Sequence, residues 1–274
     1  MSQDVTDDAK APLIRYLRLY GYFLRFSFSR ALEFRVDFFF RVIMDGVFYL
    51  THLAFFSVLF QHTGTLGGWT LDQVFVFAAG YFFIDALNMT LFSNNSWWLP
   101  TFINNGDLDY YLVRPVSSLF FLSCRDFAAN SFLNLLLAGA ILTWSLVRYP
   151  EPLGTLNIAL FVLLLFAGLF LHYVLHMLFI IPVFWTHSAE GIHDLYFGLE
   201  TLANRPHAIY TGWTRRLLTT VIPFALIASY PTHLLFEGAT PALLLHILGV
   251  NAVAFGVMLW LWRAGLRAYA SASS

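Results

Sequence analysis

Few residues in this chain could do chemistry. His172 and His176 stand four apart on one face of an apolar run, and His52 and His246 lie in other apolar runs. Membrane haem proteins ligate iron with histidines from facing helices, so a haem or metal redox subunit is one reading. Axial ligation needs histidines on two helices at matched depth around a wide gap. A pair at spacing four on one packed helix more often forms a polar seam. Cys124 is the single cysteine. It can form no internal disulfide and no cysteine-based metal site, and reads as a small core residue. Lys10 is the single lysine and has no glycine-rich neighbourhood. A P-loop needs its lysine against the nucleotide phosphates. This chain therefore carries no Walker-type ATP site, and any ATP that drives it is bound by another subunit. No catalytic residue and no resident cofactor or metal is expected.

Charges inside apolar runs are the remaining candidates. Such residues are expensive in a membrane and usually face protein or a cavity. Asp85 and Asn88 lie in one run; Arg125, Asp126, Asn130 and Asn134 lie in the next. Asp85 with Arg125 is a plausible inter-helix pair, read either as a polar wall of a translocation path or as structural pairing. Arg41 is four residues from both Asp37 and Asp45, a pairing distance on a helix. That triad reads as the structural entry of the first span.

These residues need a membrane to sit in. Of 274 residues 59% are hydrophobic and 11% charged, where a soluble domain carries about 25% charged. Aromatics make up 19%, which suits lipid contact and interfacial belts. The net charge of −1 gives no basic balance for nucleic acid. The expected fold is all-α, an integral membrane protein with six spans in one domain. A span needs about 20 apolar residues. Spans are expected at Phe38–Phe60, Leu71–Phe92, Ser118–Leu146, Leu156–Trp185 and Ala242–Trp262. A shorter fifth, Leu217–Tyr230, reaches only about 21 Å. It precedes a re-entrant piece, Pro231–Pro241, which must be covered by protein or a wet cavity. Residues 1–37 and 263–274 read as cytosolic tails, the first without signal-peptide character. Within it, Leu13–Arg30 gathers Arg15, Arg18, Arg25 and Arg30 within an arc of roughly 140°, the pattern of a helix lying in lipid headgroups. Fourteen of the fifteen Lys and Arg residues fall on the side of the termini and only Arg148 on the other. That bias makes both termini cytosolic. It also places 104–115 and 186–216 in the cytosol, and 61–70, 147–155 and 231–240 outside.

One polar run interrupts the lipid-like sequence: Gly106, Asp107, Leu108, Asp109, Tyr110, Tyr111, Leu112, Val113, Arg114 and Pro115. By itself it is a loop between two spans. Gly-Asp-Leu-Asp followed by Leu-Val-Arg-Pro before a long apolar helix resembles the loop between spans two and three of type-2 ATP-binding-cassette exporter permeases. The likeness is to the six-span branch that works in pairs. Ile222-Pro223-Phe224 through Ser229-Tyr230-Pro231 to Leu234-Leu235 is similar to the same family. The resemblance implies a separate cytosolic ATPase dimer, which binds ATP and Mg, docked beneath two permeases, identical or paralogous. It implies export of an amphipathic or hydrophobic compound across a bacterial plasma membrane. The run then forms a coupling helix. Asp107 and Asp109 cap its start, Tyr110, Tyr111 and Leu112 form an apolar plug, Arg114 favours its end and Pro115 stops it. Phe224, Tyr230, Pro231, Leu234 and Phe236 would form an apolar outer gate near the axis of a permease pair, with Glu237 at its wet rim. A membrane scaffold without transport is the third reading, and it leaves the broken fifth helix unexplained.

Overall fold

The computed structural model describes residues 12–31, 35–188 and 190–269, and every regular element in them is helical. Lys10 and residues 270–274 lie outside the described residues, as do the side chains of Asp37, Arg41 and Asn130. The protein is an all-α membrane protein. Among the described residues, four helices are long and apolar enough to cross a bilayer.

The central one starts as α3 (Leu71–Asn88). Thr70 accepts from the Gln73 amide while the Gln73 side chain accepts from Thr70 N, a reciprocal capping box. Val74 to Phe82 are all buried, as expected of a helix that is apolar all round. Tyr49 of α2 (Arg35–Phe60) stacks on Phe82 at 4.3 Å, and Phe161 and Leu165 of α8 (Thr155–Ile180) close over Gly80.

This span does not end at Phe92. It passes through a π-helical turn at Met89–Ser93 into α4 (Asn94–Asn105), giving 35 continuous helical residues, about 52 Å. The third span, expected as one helix over Ser118–Leu146, is instead broken. It comprises α6 (Ser118–Cys124), an irregular stretch, a 3-10 turn at Ala129–Ser131, and α7 (Phe132–Arg148). The two irregularities sit side by side and satisfy each other. Asn95 Nδ2 donates to Asp126 O at 2.8 Å and Asn95 Oδ1 accepts from Asp126 N at 3.0 Å. Asn94 Nδ2 donates to Asp126 Oδ2 at 2.7 Å, and Ala128 N donates to Thr90 O at 2.9 Å. Phe127 N donates to Ser27 Oγ of α1 (Pro12–Ala31) at 3.2 Å. Backbone groups freed at membrane depth need such partners. The helix expected at Leu13–Arg30 is thus present. One side of it packs along the third span, with Tyr16 on Phe120 and Phe23 on Phe121.

A larger correction concerns 186–237. The bundle has a lower end, where Asn104 Nδ2 donates to His187 O, and an upper end, where Tyr149 meets Gln73 and Phe236. After the short α9 (Val183–Thr186) and His187, α10 (Glu190–Glu200) climbs beside α8. His193 lies next to His176, Tyr196 stacks on His176 at 4.3 Å, and Glu200 reaches His172. His207 then lies against Trp69, with ring centroids 5.6 Å apart. Residues 205–211 are therefore at the upper end, and 186–216 is not one loop at the lower end. Nor is Leu217–Tyr230 a helix. It contains a π turn at Leu217–Val221, a break at Ile222 and Pro223, and a 3-10 turn at Phe224–Leu226. With α11 (Gly212–Arg216) before it and α12 (Ser229–Glu237) after it, this stretch forms a hairpin that descends and returns. Its bottom, Phe224, touches Tyr196, while Phe236 ends beside Trp69. Ile227 O presses so closely on Gly168 that an added Cβ would collide with it. Pro223, which lacks an amide, is a natural break. The last helix, α13 (Pro241–Ala268), continues past Trp262, so the expected tail at 263 begins later.

Candidate coupling and translocation site

At the lower end Gly106 terminates α4 with φ of 82°, a left-handed turn that favours glycine. The chain then forms one short helix, α5 (Asp109–Leu112). Its start carries no side-chain cap, so Asp107 and Asp109 do not play the capping role expected of them. What holds it is burial. Leu108 is fully buried and its amide donates to Phe102 O at 3.3 Å. Tyr111 turns inward, against Phe102 and Phe121, and its hydroxyl accepts from Arg125. The Arg125 guanidinium covers the rings of Phe102 and Tyr111 at 4.5 and 5.0 Å, a favourable cation–π arrangement. Tyr111 is therefore an anchor and does not belong to a plug. The outward groups are Tyr110, 71% exposed, Val113, 83% exposed, and Leu112. Arg114 folds back. Its Nε donates to Tyr110 O at 3.2 Å and its guanidinium lies over Phe121 at 4.8 Å. Arg15 Nη2 donates to Pro115 O at 2.6 Å, which ties α1 to the same loop. Tyr269 lies at this end, where burial, with Asp109 nearby, pushes its phenol above the ordinary range.

Asp85 and Arg125 do not pair. Asn95 is level with Asp126, and Asp85 lies ten residues above it, about 15 Å up the helix. Asp85 instead has Glu200, His172 and Asp45 as electrostatic neighbours. Asn88 is buried nearby and Asn134 Nδ2 faces Met89 Sδ at 3.9 Å. The space a haem would need beside His172 and His176 is filled by Tyr196 and Glu200. Among the described residues no three of His, Cys, Asp or Glu converge as metal ligands. Sequence reasoning misses Glu200, Tyr196 and His193, which fall in the stretch expected to be a cytosolic loop. Their spacing of three and four, which puts them on one helix face, is the signal that could find them.

The expected gate residues are mostly core. Phe224, Pro231 and Leu234 are buried within this chain, packed by the hairpin onto α8 and α3. Tyr230 and Phe236 are half-buried. Only Glu237 is open, at 67%, and it pairs with His233 at 3.2 Å. Beside them His207 Nδ1 lies 2.7 Å from Ser229 Oγ. Burial, with His233 and Arg215 nearby, pushes His207 down to about 3 from 6.5. A histidine with a lowered value protonates in the unfolded chain first. Its contribution is complete above 6.5 and is lost as pH falls from 6.5 toward about 3. His207→Gln is expected to flatten the acid limb of melting temperature against pH; an unchanged limb would place that loss elsewhere. A half-open apolar groove of about 430 Å³, unforeseen in the sequence, runs between α8, the descending arm and α13. Leu178, Val221, Pro223, Gly249 and Val253 line it.

No curated protein and no solved structure matches the chain. The family model described as ABC-2 family transporter protein matches residues 47–273, which takes in the loop, the polar interior and the hairpin. The chain belongs to the ABC-2 family of transporter proteins.

Proposed function

We propose that this chain is the permease subunit of an ATP-driven exporter in a bacterial plasma membrane. It works with a cytosolic ATPase dimer and a second permease, identical or paralogous. One observation carries the reading. An exposed apolar tip, Tyr110, Leu112 and Val113, is held by buried Leu108 and half-buried Tyr111 at the foot of the 35-residue central helix. A partner gripping that tip can push directly on the centre of the bundle. The cargo is an amphipathic or hydrophobic compound taken from the cytoplasm or inner leaflet, in keeping with the apolar groove open at membrane depth.

The chain crosses six times in this reading. The crossings are α2, α3 with α4, α6 with α7, α8, α10 with its following turn, and α13; the 212–237 hairpin dips in from outside. Arg205, Arg215 and Arg216 join Arg148 at the upper end, leaving eleven basic residues against four. That bias still favours cytosolic termini. The purified chain is expected to hydrolyse no ATP, and to support ATP-dependent efflux from cells only with its ATPase. Nucleotide turnover by the chain alone would overturn the assignment.

A further inference from the structure

Beneath the hairpin the interior is polar. His172 Nε2 lies 2.9 Å from Glu200 Oε1, off the line of a hydrogen bond, and the Tyr81 hydroxyl donates to Glu200 at 3.4 Å. Asp85 stands beside them on α3, with Asp45 and Tyr49 facing from α2. From α8 and α10 come His176, His193 and Tyr196, with Asp194 at the edge. No lysine or arginine is among these described side chains. Tyr49 Oη, Asn88 Oδ1, His172 Nδ1, His176 Nε2, His193 Nδ1 and Tyr196 Oη are all buried without a hydrogen-bond partner. Buried polar groups are normally satisfied, and ionisable groups at membrane depth mark ion or proton routes.

Among the described side chains Glu200 and Asp85 are two carboxylates with no lysine or arginine beside them, so the pair calls for positive charge. A metal ion lacks a converging ligand set among the described residues. An organic cation lacks room between rings 4.3 Å apart beside a histidine that is 1% exposed. A proton needs no room. The route to it is one-sided. Downward, His176 and His193 have ring centroids 6.0 Å apart, and His193 stacks on half-exposed Trp97 of α4, the lower arm of the central helix. Upward, Phe77, Phe161, Leu165 and Phe224 are fully buried and seal the interior.

We propose that Glu200, His172 and Asp85 form a protonation site inside the bundle, loaded from the lower end through His193 and His176. The site's charge state then becomes a second input to transport beside ATP. A hydronium ion at the lower mouth gives up its proton and leaves water. The proton passes along the imidazoles, bridged by water where the rings are apart, and bonds to Glu200 Oε1. The carboxylate becomes a carboxylic acid and the site gains one positive charge. The consequence for transport rests on the permease reading, but the protonation does not.

The test is infrared difference spectroscopy of the full chain in lipid nanodiscs, with pH lowered in steps. It needs neither ATPase nor substrate, so its failure would leave the permease reading standing. The wild type is expected to show a titrating carbonyl band of a buried carboxylic acid, lost in Glu200→Gln or Asp85→Asn. Tyr81→Phe keeps the packing and serves if those variants fail to insert; it should keep the band and shift its midpoint. His193→Phe should slow the response to a pH jump. No titrating band, or one indifferent to Glu200→Gln, Asp85→Asn and Tyr81→Phe, overturns the site. An unslowed jump in His193→Phe overturns the lower-end route.

Discussion

Gly168→Ala is expected to destabilise the protein by about 3 kcal/mol, the upper range for overpacking a core. The new methyl group would collide with Ile227 O, a backbone atom that no side-chain rotation can move. The hairpin must then lift off α8, and its buried residues Phe224, Ile227 and Leu234 lose their seat. Gly249→Ala is the control, because a Cβ there meets nothing within 4 Å. Thermal melting of both variants in detergent decides the matter. Equal melting temperatures would mean that the hairpin does not rest on α8 as described.

Tyr110→Ala and Tyr111→Ala are expected to fail in different ways. Tyr110 is an exposed ring with no role in packing. Its loss should leave the protein inserted and stable but weaken ATPase binding about thirtyfold, since an interface anchor is worth about 2 kcal/mol or more. Efflux should fall with it. Tyr111 holds Arg125 and packs on Phe102 and Phe121. Its loss strips a half-buried guanidinium of its partner and should lower stability before it affects binding. Co-purification with the ATPase, read beside melting temperature, separates the two. Full efflux in Tyr110→Ala would make the loop an idle connection.

The apolar runs at Phe38–Phe60, Leu71–Phe92 and Leu156–Trp185 are legible because lipid demands continuous hydrophobicity over a span. The interruptions are not. Asn94, Asn95 and Asp126 lower the local hydropathy and read as the edges or polar walls of spans. In the fold they complete one another's hydrogen bonds inside the bundle. The 190–211 segment reads as a loop because it carries Glu190, Asp194, Glu200 and Arg205. Its inward face, His193, Tyr196 and Glu200, packs against α8, α3 and α4, and partners on other helices leave no mark on local composition. The loop's motif marks the candidate coupling site. Which of its two tyrosines points outward depends on Arg125, fourteen residues beyond Tyr111 and across a chain reversal.

The paired irregularities at Met89–Ser93 and Arg125–Ser131 divide the central helix unequally. Below the joint α4 is 12 residues long, about 18 Å. Above it the helix from Leu71 to Ser93 is about 34 Å. Pivoted there, the helix has a gear ratio of roughly two to one. A sideways step of about 1 Å at the Tyr110 tip becomes about 2 Å at Thr70, beneath the upper lip where Trp69 meets His207 and Phe236. On the coupling proposal, the Asn95 clasp on Asp126 would pass the same stroke to the neighbouring span, so a small step below would spread the walls above.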